Sequence, residues 1–158
     1  MTEMTGPEAG GKAPAFTLPR AGGGDVSLAE YAGRNVDLHF YPRDDTPGCT
    51  TEAIEFTAEA PAFKAANTVV IGISKDGVAK HEKFIAKHEL GVILASDENG
   101  STCEDYGVWA EKKNYGKTYM GIERSTFLIG GDGMVRAAWR KVKVKGHVAA
   151  ALAAAKAL

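Results

Sequence analysis

The chain alternates short apolar runs with longer segments that mix Ala, Glu and Lys. The apolar runs are too short for helices and predict buried strands; they lie at 36–41, 68–74, 92–94 and 125–129. The mixed segments lack strand alternation and predict helices; they lie at 50–66, 77–90, 99–107 and after Gly146. Strands and helices in this alternating order predict an α/β fold, in which helices cover both faces of a central sheet.

Two glycine-rich turns predict hairpins. The turn at 22–25 joins two short apolar stretches at 16–18 and 26–28, and this predicts an N-terminal hairpin. The sequence Gly-Gly-Asp-Gly at 130–133 predicts a second hairpin, with its returning strand over 134–144. By contrast, residues 109–124 are predicted to be irregular.

The returning strand changes its pattern partway along. Val135, Ala137 and Trp139 share one parity, whereas Val142 and Val144 share the other. Because alternate residues of a strand point to opposite faces, one buried face cannot continue across this change. The sequence therefore predicts a bulge or a break between Trp139 and Val142.

Composition narrows the class of protein. A chain of 158 residues, with 44% hydrophobic and 25% charged residues, is typical of one globular domain. We expect a flexible lead-in over residues 1–14, which are polar and rich in Gly and Pro, and a single domain over 15–158. The net charge of −1 gives no basic excess for nucleic acid. No apolar run approaches the roughly 18 residues of a membrane span, and the N-terminus lacks signal-peptide character, so we expect a cytoplasmic protein.

The strongest chemical signal is a cysteine at a predicted helix start. Cys49 follows a strand and a loop rich in turn residues, and it precedes the helix predicted at 50–66. The amide groups and the dipole at a helix start favour an anion, and the anionic thiolate is the reactive form of cysteine. The alternative is a buried structural cysteine, which position alone leaves equally open.

The residues around Cys49 resemble a known active site. Pro42, Thr46 and Cys49 have the spacing Pro-x-x-x-Thr-x-x-Cys, which resembles the signature of the peroxiredoxins. The longer run Phe-Tyr-Pro-x-Asp-x-Thr-Pro-Gly-Cys-Thr-x-Glu resembles the subgroup called bacterioferritin comigratory protein, or PrxQ. Three later segments resemble the same subgroup: Tyr106–Trp109, Tyr115–Lys117 and Gly121–Phe127.

This resemblance implies a thioredoxin-like fold and a thiol-dependent peroxidase. It implies that Cys49 attacks hydrogen peroxide or an organic hydroperoxide and becomes a sulfenic acid. Thr46 would contact the sulfur and the peroxide, and Arg124 would face the thiolate. Pro42 would shield the sulfur, and Glu52 would orient the arginine. No metal or other cofactor is implied, because a thiolate attacks the weak O–O bond without one.

The sequence departs from the subgroup at the second cysteine. Many members carry a resolving cysteine five residues after the first, where this chain has Ile54, and others carry it in the next helix, which has no cysteine here. Cys103 is the only other cysteine. It is either an unusual resolving residue or a buried packing residue, and we favour packing. We therefore expect a one-cysteine cycle, with thioredoxin, glutaredoxin or a small thiol as reductant, in a monomer.

Other polar residues leave their roles open. Asp37 alternates with apolar residues in a predicted central strand, with His39 on the same face, and the sequence does not identify its partner. His81 and His88 lie too far apart on one helix to share a metal ion, and we expect both to be surface or half-buried residues.

Two other functions remain open from the sequence. The same oxidation of Cys49 could serve a redox sensor without turnover. A dithiol–disulfide oxidoreductase is disfavoured, because the run from Cys49 to Glu52 lacks a Cys-x-x-Cys pair. Thr46 and Arg124 favour the peroxidase, since a sensor needs no groups that stabilise a transition state.

Overall fold

The computed structural model of the protein describes residues 6–158. The strands are β1 (Thr17–Pro19), β2 (Asp25–Ser27), β3 (Asn35–Phe40), β4 (Thr68–Ser74), β5 (Ile93–Ser96), β6 (Trp109–Asn114), β7 (Lys117–Ile122), β8 (Ser125–Ile129) and β9 (Val135–Trp139). The helices are α1 (Pro47–Ala65), α2 (Val78–His88), α3 (Thr102–Asp105) and α4 (His147–Lys156), with a short 3-10 helix at Ala29–Tyr31. Within this part of the chain no helix has the length and apolar character that a membrane crossing requires.

The central sheet has five strands in the order β5-β4-β3-β8-β9. β3, β4 and β5 run parallel, whereas β8 and β9 are antiparallel to their neighbours. Leu38 in the middle strand lies opposite Ile71 on one side and Phe127 on the other. The prediction of a central mixed sheet in an α/β fold is confirmed, as is the N-terminal hairpin, formed by β1 and β2.

Different elements pack on the two faces of this sheet. The helical face packs against α1, α2 and α4 through apolar residues such as Phe56, Phe84 and Leu152. The hairpin face packs against α3, the β1–β2 hairpin and the start of β6 through residues such as Tyr106 and Val26. Helices therefore lie on both faces, as predicted. The alternation along β3 sends Val36, Leu38 and Phe40 to the hairpin face and the residues between them to the helical face.

The prediction of an irregular segment at 109–124 is wrong. β6 and β7 form an antiparallel hairpin joined by Tyr115 and Gly116. Both turn residues have positive φ, 52° and 77°, as a tight two-residue hairpin turn requires. The strands carry Lys, Asn and exposed Tyr instead of alternating apolar residues, because most of their side chains face solvent. Their pattern therefore lacks the usual strand signal.

The expected lead-in is more ordered than its composition indicates. The amide of Gly10 donates to the carbonyl of Val135, and the amide of Val135 donates to the carbonyl of Gly11, both at 2.8 Å. Ala13 is buried and donates its amide to Gly133. The expectation of flexibility up to residue 14 is therefore corrected for residues 10–13, which are held by backbone hydrogen bonds. Residues 1–5 of that lead-in lie outside the described residues.

The predicted break after Trp139 is confirmed. β9 ends at Trp139, and Lys141 has a φ of 51°, which no continuing strand adopts. The chain then turns, so that the amide of Val142 donates to the carbonyl of Arg124 at 3.0 Å. The break thus fixes the backbone at Arg124, a residue of the candidate site.

Candidate active site

The first turn of α1 positions Cys49. The helix begins at Pro47, three residues before the predicted start, and its first hydrogen bond runs from the amide of Thr50 to the carbonyl of Thr46. Proline fits this first position because its backbone angle is helical and the missing N–H has no helical acceptor there. The amides of Gly48 and Cys49 precede that first bond, so they have no partner within the helix. Cys49 therefore lies among free backbone donors at the positive end of the helix.

Arg124 lies directly against the sulfur. Its Nη2 is 3.3 Å from Sγ of Cys49, whose side chain is 2% exposed. Gly48 makes this approach possible, since a Cβ at that position would lie 3.2 Å from the same Nη2. A guanidinium stays protonated at any working pH, so it places a fixed positive charge beside the sulfur.

Glu52 holds the arginine from the other side. Arg124 Nη1 donates to Oε1 of Glu52 at 2.7 Å, and the glutamate is 1% exposed. Burial raises the pKa of Glu52, and the positive charge of Arg124 opposes that rise. A buried carboxylate with one strong donor fixes the guanidinium geometry. The structure therefore brings together Cys49, Arg124 and Glu52, three of the residues predicted from the sequence.

Thr46 and Pro42 border a groove beside the site. The Thr46 hydroxyl donates to the carbonyl of Arg43 at 2.9 Å. Pro42 is exposed. Both residues line a groove of about 590 Å³ between the loop before α1 and the β6–β7 hairpin, together with Trp109, Lys112 and Ile122. A small molecule in this groove would approach the start of α1.

A buried hydrogen-bond network supports the loop before α1, and the sequence missed it. The Tyr41 hydroxyl donates to Oδ1 of Asp44 at 2.6 Å, and Nδ1 of His81 lies 2.6 Å from Oδ2 of Asp44. The other ring nitrogen of His81 lies 2.9 Å from the carbonyl of Ala95. The expectation that His81 is a surface or half-buried residue is wrong, because its ring is fully buried. The spacing of His81 and Phe84 on one face of α2 is the signal that could have indicated burial.

Asp37 and His39 are buried on the helical face behind this site. Nδ1 of His39 is 3.8 Å from Oδ1 of Asp37, too far for a hydrogen bond, and within residues 6–158 both carboxyl oxygens of Asp37 lack a partner. His39 stacks on Phe56 of α1 with ring centres 4.4 Å apart. Burial raises the pKa of Asp37 to about 8 and lowers that of His39 to about 4. At neutral pH both side chains are therefore uncharged.

Cys103 lies on the opposite face of the sheet from Cys49. It belongs to the apolar cluster of the hairpin face, is fully buried, and is a free thiol. Burial and the neighbouring Asp97 raise the pKa of its thiol far above the usual range. These features fit a packing residue rather than a reactive one.

Comparison with known proteins agrees with this geometry. Residues 9–138 match the AhpC/TSA family. The chain is 51% identical to a putative peroxiredoxin bcp of Coxiella burnetii, over 90% of this chain and 94% of that protein. It is 50% identical to peroxiredoxin Bcp of Bacillus subtilis, over 92% of each. The fold superposes on Xanthomonas campestris peroxiredoxin Q with a TM-score of 0.86 and 46% identity, covering 90% of each chain.

A thioredoxin-like sheet with an arginine-paired cysteine at a helix start defines a peroxiredoxin. The chain belongs to the AhpC/TSA family, and within it to the Bcp or PrxQ peroxiredoxins. It is a thiol-dependent peroxidase.

Proposed function

We propose that Cys49 is the nucleophile that attacks the peroxide. The observation that carries this proposal is the 3.3 Å contact between Arg124 and Sγ of Cys49 at the start of α1. A fixed cation and free helix amides both favour the thiolate, which is the nucleophilic form. Attack on one oxygen of a hydroperoxide forms a sulfenic acid and releases water or an alcohol.

The surrounding groups stabilise charge as it moves. During attack, negative charge passes from sulfur to the leaving oxygen, so donors fixed along that line act most strongly in the transition state. Arg124 is one such donor, and Glu52 keeps it in place through the 2.7 Å ion pair. Thr46 is a second candidate, because rotation of its hydroxyl away from Arg43 would direct it into the groove. Pro42 limits the access of water at the groove rim.

We propose that an external thiol reduces the sulfenic acid. Ile54 occupies the position of the usual resolving cysteine and is 44% exposed, whereas Cys103 lies beyond the central sheet on the hairpin face. A disulfide needs Cα atoms about 4.4–6.8 Å apart, and a sheet between two residues does not allow that distance. Thioredoxin, glutaredoxin or a small thiol would therefore complete a one-cysteine cycle.

The proposed working state is a cytoplasmic monomer. The groups proposed to act on the peroxide all come from one chain: Cys49 and Glu52 from α1, Thr46 and Pro42 from the loop before it, and Arg124 from the link between β7 and β8. No second subunit is needed to complete this set.

Peroxide consumption with an added thiol tests the nucleophile. Cys49→Ser removes turnover, because a serine hydroxyl stays protonated at the helix start. Cys103→Ser is the matched control and keeps its turnover with a small-thiol reductant. Near-normal turnover in Cys49→Ser would contradict the proposal. A reaction that stops after one equivalent of peroxide, despite the added thiols, would instead favour the redox sensor.

A further inference from the structure

Three cationic side chains line the groove beside the start of α1, and they differ in whether a carboxylate forms an ion pair with them. Lys75 pairs with Asp97 at 3.1 Å and with Glu104 at 2.8 Å. Arg43 is exposed, and a guanidinium does not release its proton in a protein. Lys112 is half-buried, and within residues 6–158 no carboxylate lies in ion-pair contact with it. Lys112 is therefore the one groove cation in this part of the chain that can release a proton and has no ion-pair partner.

The hairpin is shaped so that the Lys112 side chain can lie along it. Gly121 lies diagonally across from Lys112 on β7, and a Cβ at that position would lie 3.2 Å from Cδ and 3.5 Å from Cε of the lysine. A Cβ there would require the lysine side chain to shift by a few tenths of an ångström. The absence of a side chain at Gly48 leaves space for Arg124 in the same way. A glycine therefore lies next to each of these two cationic side chains.

Electrostatics connect Lys112 to the reacting groups. Burial and the Arg124 guanidinium lower the pKa of Lys112, while Glu123 and Cys49 oppose that shift. A lysine whose pKa is moved towards neutrality by burial and a like charge is better suited to proton transfer. Arg124 cannot serve in this way, since its guanidinium keeps its protons.

We propose that Lys112 is the general acid of this peroxidase, giving its proton to the oxygen that leaves when Cys49 attacks. This proposal rests on the assignment of Cys49 as nucleophile. The Cys49 thiolate forms an S–O bond to the terminal oxygen of R–O–O–H as the O–O bond breaks. The electron pair of that bond leaves on RO⁻, which takes a proton from the Lys112 ammonium and departs as ROH. Cys49 is left as S–OH, and Lys112 regains its proton from water.

A pair of oxidants separates this role from other effects of the lysine. tert-Butyl hydroperoxide releases an alkoxide that needs a proton, whereas peracetic acid releases acetate, a stable anion that needs none. The rate constant for oxidation of Cys49 is measured for both by stopped-flow mixing and divided by the rate of alkylation with iodoacetamide. That division corrects for any change in the thiolate fraction. The variants are Lys112→Gln and its exposed neighbour Lys113→Gln as the matched control.

The expected result for Lys112→Gln is a loss of about 100-fold with tert-butyl hydroperoxide and less than about twofold with peracetic acid. Lys113→Gln reacts like the unaltered protein with both. Gly121→Ala keeps the lysine but displaces it, so it shows the same selective loss to a smaller degree and serves if Lys112→Gln does not fold. Equal losses with both oxidants, or no loss with either, would overturn the proposal for Lys112. Failure of the unaltered protein to react with either would instead contradict the assignment of Cys49.

Discussion

The two cysteines share a local setting and differ in what surrounds them. Each is fully or nearly fully buried in the first turn of a helix, Cys49 in α1 and Cys103 in α3. At Cys49 the nearest charged group is the Arg124 guanidinium, and the amides of the first turn have no helical acceptor. At Cys103 the Asp97 carboxylate accepts the amides of Thr102 at 3.1 Å and of Cys103 at 2.8 Å. One helix start therefore has a cation beside it and the other an anion.

Under the proposed assignment of Cys49 as the nucleophile, a helix start does not by itself create a reactive thiol. The amides at the start of α3 are already occupied by an anion, so no positive field remains for the sulfur. A lysine near Cys103 does not reverse this, since Lys75 is itself bound by Asp97 and Glu104. The two settings thus differ in the sign of the charged partner that the fold places beside each cysteine.

Removal of Arg124, the charged partner of Cys49, is expected to give the largest change in the rate of attack on peroxide. Arg124→Ala removes the fixed cation and hydrogen-bond donor beside the sulfur, so attack on peroxide slows by about 100-fold or more. Arg124→Lys keeps the charge but loses the simultaneous contact with Glu52 and sulfur. Its rate of attack is expected to lie between those of Arg124→Ala and the unaltered protein. Stopped-flow oxidation by hydrogen peroxide measures the rate of attack in each variant. An unchanged rate of oxidation in Arg124→Ala would show that the arginine does not assist the attack.

Two buried aspartates, Asp97 on the hairpin face and Asp37 on the helical face, differ in how they affect the stability of the fold. Asp97 accepts two amide hydrogen bonds and a lysine, whereas Asp37 has no hydrogen-bond partner among the described residues. The pKa of Asp37 is about 8 in the fold against an ordinary value of 3.8. The folded state therefore holds a proton that the unfolded chain releases, and the stability from this group is complete below pH 3.8 and lost as pH rises to about 8.

The side chain introduced by Asp37→Asn cannot ionise, so this variant does not lose stability as the pH rises to about 8. We expect it to raise the free energy of unfolding at pH 8 by about 2 kcal/mol, since the buried amide keeps part of the desolvation cost. Asp97→Asn is the matched control and is expected to destabilise, because it weakens the hold on α3 and on Lys75. Urea unfolding at pH 5 and pH 8 measures both. A wild-type stability that does not fall between these two pH values would contradict the protonated state of Asp37.

The sequence predicted the parts of the site that depend on local order. The strand, the turn-rich loop and the helix around Cys49 are consecutive, and the motif indicated Arg124 and Glu52 through a resemblance. The sequence did not predict contacts that depend on strand order and register. His81 reaches Asp44 across 37 residues, and the face on which Cys103 lies follows from the arrangement of the sheet. The β6–β7 hairpin, with its lysine in the groove, was missed because exposed strands carry no apolar alternation.

The central claim is that only Cys49 reacts and that no disulfide forms within the chain. Its most direct test is mass spectrometry of the whole protein and its peptides after one equivalent of hydrogen peroxide, with and without an added thiol. We predict a sulfenic or over-oxidised Cys49 with Cys103 still a free thiol, and return of Cys49 to the thiol once the reductant is added. A Cys49–Cys103 disulfide as the main product would contradict this account and identify Cys103 as the resolving residue.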